Sequence, residues 1–142
     1  MEIIVGGIIE KDGKILLVQE AKEKCRGKWN IPAGHLENSE SIIEGAIREI
    51  KEECGCDVEI NGILKIGNIV LKDNNVILIV FATKLISNNI VYNKDEILDV
   101  KWFSYDEIIN MKNELRESEW LISVIKSYKD NKTIDIDYIK IF

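Results

Sequence analysis

The chain has 142 residues, 46% of them hydrophobic and 31% charged, with a formal charge of −6 and a pI near 4.9. That size and apolar content suit one domain, 1–142, with its own core. The acidic balance excludes a general binder of nucleic acid, whose affinity comes mainly from Lys and Arg on phosphates. No apolar run approaches the roughly 18 residues needed to span a bilayer.

The opening "MEIIVGGIIE" lacks a basic region before its apolar stretch, so it reads as a first strand, Ile3 to Glu10, and not as a signal peptide. Asp12-Gly13 is a hairpin turn signal, with "KILLVQE" (Lys14 to Glu20) as the return strand. Ala21 to Lys28 is a polar loop. "WNIP" reads as a short strand ended by Pro32-Ala33-Gly34. A helix follows: Ser41 and Glu44 form an S-x-x-E capping box, and Gly55 is the expected left-handed residue past its end. Ile43, Ile47, Ile50 and Cys54 make one apolar stripe along it, flanked by Ala46.

Two long strands are expected beyond Gly55, "CDVEINGILKIGNIVL" and "NVILIVFATKLI", joined at Lys72 to Asn75. "LDVKWFS" is a further strand. Ser104 and Glu107 form a second capping box, opening a short helix. Glu114 to Tyr128 carries an amphipathic helical pattern, and "TIDIDYIKIF" reads as a late strand or a docked tail. Strands on both sides of a helix, with a second helical region late, give an α+β chain with a mixed sheet covered on both faces. Cys25, Cys54 and Cys56 are odd in number and lack a C-x-x-C, which fits reduced thiols in a cytoplasmic protein.

Within "REIKEECGCD", Glu49, Glu52 and Glu53 fall at i, i+3 and i+4 and share one helix face. At roughly 100° per residue that face lies beside the apolar stripe, at the rim of the core. Such a cluster has two readings. It is either an ordinary solvated face or a site where a hard divalent cation relieves the repulsion of crowded carboxylates.

The wider pattern bears on the choice. Gly34, Glu40, Arg48-Glu49, Ile50, Glu52-Glu53, Gly55 and Cys56 follow the spacing G-x5-E-x7-R-E-U-x-E-E-x-G-U, where U is aliphatic. This resembles the Nudix box, and a chance match is on the order of 10⁻⁷ at average residue frequencies. Cys56 departs from the last aliphatic slot, though free cysteine packs as a small hydrophobe. Pro32-Ala33-Gly34 stands where the family carries P-G-G. The approach "GKWNIPAGHLE" and the late "DVKWFSYDEI" extend the resemblance over most of the chain.

The resemblance implies an α/β/α sandwich and a cation-dependent pyrophosphohydrolase acting on a small nucleotide, with Mg²⁺ as cofactor and Mn²⁺ as substitute. It also implies that Glu49 and Glu53 are the main metal ligands and Glu52 a further one, direct or through water. The Ala33 or Gly34 carbonyl matches a backbone ligand. Arg48 and Glu40 match an ion pair that holds the loop on the helix and orients Glu49. Glu96, six residues before Trp102, matches a further ligand or base, with Asp95 beside it. Homodimers are common in the family; neither a membrane nor a nucleic-acid polymer is implied as partner.

For the substrate, the lack of any proline after Pro32 argues weakly against the groups acting on dinucleotide cofactors, ADP-ribose and coenzyme A. "LLVQEAKEKCRGKWNIPAG" is similar to a stretch of the animal hydrolase of 8-oxoguanine nucleoside diphosphates. In related oxidised-purine triphosphatases an asparagine in "KWN" reads the base, which carries over to Asn30. Their acidic pair and tryptophan in a late loop fall here on Arg116, Glu117 and Glu114, so that set is incomplete. The loop cations, Arg26 and Lys28 among them, either face the substrate or belong to an ordinary solvated loop. Trp29 and Trp102 read as core aromatics, and His35 as a surface residue. The rival readings are a catalytically silent Nudix-fold nucleotide sensor and a helical partner-binding protein with an acidic face.

Overall fold

The computed structural model describes residues 1–142. A five-stranded mixed sheet is ordered β5-β1-β7-β6-β9: β1 is Glu2–Ile8, β5 Ala33–His35, β6 Cys56–Val70, β7 Asn75–Asn88 and β9 Ile134–Asp135. Its parallel pair is β1 with β7; the other ladders are antiparallel. A second, antiparallel sheet holds β2 (Glu10–Lys11), β3 (Lys14–Glu20), β4 (Trp29–Asn30) and β8 (Ile97–Ser104). Helix α1 is Ile42–Cys54, α2 Tyr105–Asn110 and α3 Ser118–Lys129.

The apolar run of β3 explains the layering. Ile15 and Leu17 enter one core with Leu121, Val124 and Ile125 of α3, while Leu16 and Val18 enter another with Ile50 and Cys54 of α1. Successive strand residues point to opposite faces, so a strand buried on both reads as continuous apolar sequence. The result is the expected α/β/α arrangement, with the mixed sheet present and a second sheet beside it.

The two capping boxes form as the sequence predicts, at Ser41 with Glu44 and at Ser104 with Glu107. Gly55 ends α1 in the left-handed conformation at φ 78°, and a side chain there would run into the Asn89 carbonyl. The Asp12-Gly13 turn forms with φ 51° and 77°, but it joins only the short β2 to β3. The chain changes sheets near Ile9, so β1 pairs with β7 and β5 instead of the return strand.

Three further expectations are corrected, and that for the tail is met in both its forms. Ala33–His35 does not simply end a strand; it forms an edge strand antiparallel to β1, pairing Gly34 with Val5. Ile47 is 36% exposed, while Ala46, Ile50 and Cys54 are fully buried. The buried stripe is therefore rotated from Ile47 toward the glutamates, because Gly45 and Ala46 let α1 lie close to Val5 and Leu36. The late helix starts at Ser118, since a 3-10 turn at Lys112–Glu114 and Glu117 at φ 46° break the pattern before it. The tail is both a short strand on β6, pairing Asp135 with Gly62, and a turn that packs Ile136 and Ile139 on the core. No helix is long and apolar enough to cross a membrane.

Candidate active site

Arg48, at the middle of α1, organises the loop that precedes the helix. Its Nε and Nη2 donate to the two Glu40 oxygens at 2.9 and 2.6 Å, a forked charge-assisted pair. Nη2 also reaches the His35 carbonyl at 3.0 Å. Nη1 donates to Glu49 at 2.8 Å and Glu52 at 3.3 Å. Glu40 accepts the Glu37 N–H as well. These bonds, from Arg48 first, hold the Glu40 carboxyl down at about 2.

Glu49 and Glu53 lie on the inner side of this face, beneath the edge strand β5. A Cβ built on Gly34 would strike the Glu49 carboxylate. The Ala33 N–H donates to Glu53 at 2.8 Å. Burial raises the Glu53 pKa to about 8; the Ala33 bond opposes the shift, and the charges of Glu49 and Glu20 add to it. Burial also raises Glu49, against the pull of Arg48 and with the charges of Glu52 and Glu96 adding. Glu52 is exposed.

The three glutamates share a face but do not converge on one point. Glu49 turns to Arg48, Glu53 to Ala33, and Glu52 outward. The donor set still fits a hard divalent cation: it is all oxygen, and two members sit where their charge is poorly solvated, so a nearby cation would favour both. Gly34 lacks the side chain that would fill the space at Glu49.

Among the other sequence-predicted residues, Glu96 is exposed and within electrostatic reach of Glu49, and its carbonyl accepts the Ala21 N–H at 3.0 Å. Asp95 is also exposed. Asn30 is half-buried, with its Oδ1 bonded to the adjacent Ile31 N–H. Arg26 closes its own loop on the Ala21 carbonyl at 3.0 Å, and Lys28 reaches the Asn113 carbonyl at 2.6 Å. Trp29 is a core aromatic, 7% exposed and edge-on to Phe103 at 5.0 Å. Trp102 packs against the α1 core. His35 sits at the surface, 3.5 Å from Glu2. Cys56 is 1% exposed among Ile50, Cys54 and Val58, so it fills the aliphatic slot by packing.

Sequence reasoning missed Glu20. It is 5% exposed at the bulged end of β3, and both its oxygens accept from Arg116 Nη1, at 2.8 and 2.9 Å. Its only sequence signal was a carboxylate closing an otherwise buried strand.

Residues 2–124 match the NUDIX domain family. The chain is 30% identical over 141 residues to Phosphatase NudJ of Escherichia coli O1:K1 / APEC, covering 96% of this chain and 89% of that one. It is 39% identical over 64 residues to the human 8-oxo-dGDP phosphatase NUDT18, which covers 45% of this chain. The chain spans only 13% to 20% of the length of the animal relatives it matches in this way. A solved NUDIX hydrolase from Nitrosomonas europaea superposes with a TM-score of 0.88 at 28% identity, covering 99% of this chain and 97% of that one.

Proposed function

The chain belongs to the Nudix hydrolase family, whose members act on phosphoanhydrides, and on that premise we propose that it is a Mg²⁺-dependent pyrophosphohydrolase. Its substrate in this reading is a nucleoside diphosphate, free or linked to another group, or a nucleoside triphosphate, and oxidised bases are included. The observation that carries the proposal is the Arg48 fork, which clamps Glu40 and Glu49 while Glu53 lies under the Ala33-Gly34 edge.

Glu49 and Glu53, with Glu52 and the Ala33 or Gly34 carbonyl, would hold the cation. Bound there, Mg²⁺ (or Mn²⁺ in its place) supplies charge to the phosphoryl oxygens and lowers the pKa of a bound water. Arg48 holds Glu49 in place through Nη1, and Glu40 anchors Arg48. Glu96 is exposed and has no intramolecular side-chain partner, so its carboxylate is free to accept a proton from water. On the nucleoside side, Asn30 is the base-reading residue, and Arg26 and Lys28 flank the phosphates. The whole of 1–142 forms one such domain, cytoplasmic and able to pair as a homodimer.

The complete carboxylate set argues against a silent nucleotide sensor. The test is release of phosphate or mononucleotide from a nucleotide panel, with Mg²⁺ and with EDTA. Turnover that EDTA abolishes is expected. Tight binding of one nucleotide with no turnover of any would favour the sensor; activity indifferent to EDTA would refute the metal site. Asn30→Ala should shift base preference and leave the metal response intact. An equal loss on all bases would make Asn30 structural.

A further inference from the structure

The segment 89–96, between β7 and β8, carries Glu96 and is exposed along most of its length. Exposed connections are ordinarily mobile, yet this one is fastened at both ends. Near its start, the Val91 N–H donates to the Cys54 carbonyl at 3.2 Å and so satisfies one of the open carbonyls at the end of α1. Gly55 permits that contact, because a Cβ there would meet the Asn89 carbonyl and the Val91 nitrogen. At its end, the Ala21 N–H holds the Glu96 carbonyl at 3.0 Å, one step beyond the pairing of Glu20 with Ile97. The loop is therefore strung between the last turn of α1 and the end of β3.

Asn93 shapes the turn between those anchors. Its Oδ1 accepts the Asp95 N–H at 2.9 Å, and its carbonyl accepts the Glu96 and Ile97 N–H groups at 3.0 and 2.9 Å. A single residue thus takes successive backbone donors up to the first residue of β8. Asparagine suits the position, since its short amide closes a turn on the backbone two residues on. The Ala21 bond fixes the carbonyl side of Glu96 and the Asn93 turn fixes its N–H side. Together they set the direction in which its carboxylate leaves the backbone. The loop also adjoins the box: Asn93 lines a concavity of about 330 Å³ with Glu52, Lys51, Gly55 and Tyr92. The Glu96 charge is close enough to add to the raised pKa of Glu49.

We infer that Asn93 is a positioning residue, whose turn holds the Glu96 carboxylate where it acts beside the box glutamates. This rests on the reading of Glu96 as the group that accepts a proton from water, and deepens it: Asn93 acts through Glu96 and touches no substrate.

The test uses Asn93→Ala, Asn93→Asp, Glu96→Gln and the double variant Asn93→Ala/Glu96→Gln. Mg²⁺-dependent release of phosphate or mononucleotide is measured on GDP, dGTP and GDP-mannose. Loss of the side-chain acceptor should lower kcat and kcat/KM together by about 10- to 100-fold, as for a reacting group displaced by about 1 Å. Aspartate keeps an acceptor in the same place and should return turnover close to wild type. Added to Glu96→Gln, Asn93→Ala should cost little more, because its effect passes through that carboxylate. In EDTA, amide hydrogen exchange at Asp95, Glu96 and Ile97 should quicken in Asn93→Ala and stay slow in Asn93→Asp, with the melting temperature of both near wild type. Wild-type turnover or unchanged exchange in Asn93→Ala, no recovery in Asn93→Asp, or losses that add in full to those of Glu96→Gln would each overturn the inference. Failure of the underlying reading looks different: wild type turns over none of these nucleotides, or Glu96→Gln matches wild type, and either result removes the inference with it.

Discussion

Gly34→Ala separates the needs of the site from those of the fold. Gly34 pairs with Val5 on an edge strand, and its backbone has no positive φ that would bar alanine. The new methyl group would occupy the position of the Glu49 carboxylate. That carboxylate is the end of a flexible side chain, so it can swing aside, at the expense of its 2.8 Å bond from Arg48. Losing a charge-assisted bond costs about 1.5–3 kcal/mol. Replacing glycine at a compatible position returns about 0.4–1 kcal/mol through the unfolded chain. The net is about 1–2 kcal/mol, a fall in melting temperature of roughly 3–7 °C at this size. The effect on turnover should be far larger, because a catalytic group displaced by about 1 Å costs about 100-fold. Thermal melting and Mg²⁺-dependent turnover on one preparation decide the matter. Glu49→Gln and the double variant complete a cycle: if the methyl group acts through Glu49, the double variant should be little worse than Glu49→Gln alone. A turnover within threefold of wild type, or fully additive losses, would refute the reasoning.

Glu53→Gln keeps the shape and should cut turnover by a few powers of ten while the fold survives; near-wild-type rates would remove Glu53 from the metal set. The same residue sets a pH dependence in EDTA: its carboxyl rises from 4.5 to about 8 on folding, so stability present in full below the unfolded value is lost as pH climbs through 8, by up to about 5 kcal/mol. Melting temperatures from pH 5 to 9 should fall in wild type and stay flatter in Glu53→Gln, and parallel curves would show that Glu53 is not the cause. Arg48→Lys keeps the charge but not the fork across Glu40 and Glu49, so turnover should drop about tenfold or more with only a modest change in KM; full activity would mean that charge alone suffices. Cys56→Val restores the aliphatic slot and should leave activity unchanged and stability within about 1 kcal/mol, as read by urea unfolding; a larger loss would point to the thiol contact with Cys54.

What was legible in the sequence was local. Both capping boxes, the Gly55 stop and the Asp12-Gly13 turn depend on residues two to five positions apart, and all formed. The Glu40–Arg48 pair was legible through the box spacing. What escaped depends on tertiary partners. The division into two sheets turns on where the chain leaves β1, and an apolar run buried on both faces carries no mark of that point. The edge strand at Ala33–His35 is only three residues long and is made by pairing with β1. Ile47 fits the helical period, but the close approach allowed at Gly45 rotates the helix away from it. Glu20 and Arg116 are 96 residues apart, a contact that no local pattern encodes.

The site retains an imbalance that the fold does not resolve. Glu37, Glu40, Glu49 and Glu52 all lie within ion-pair distance of the single Arg48 guanidinium, and Glu53 sits behind them without a cation of its own. Glu40 takes the best geometry, at 2.6 Å, so Arg48 serves chiefly to fix the loop and only partly to neutralise the helix face. The raised values of Glu49 and Glu53 express what remains: carboxylates under-solvated, crowded and short of positive charge. Burying a leucine at either position would relieve that tension and stabilise the helix. The carboxylates make chemical sense if a divalent ion joins them, because such an ion adds stability in proportion to its binding and turns the local repulsion into affinity. The feature that weakens the free fold is therefore the one that would prepare it for a divalent cation. Gly34 fits the same logic, since a larger residue would favour the strand and crowd the carboxylate that the site requires.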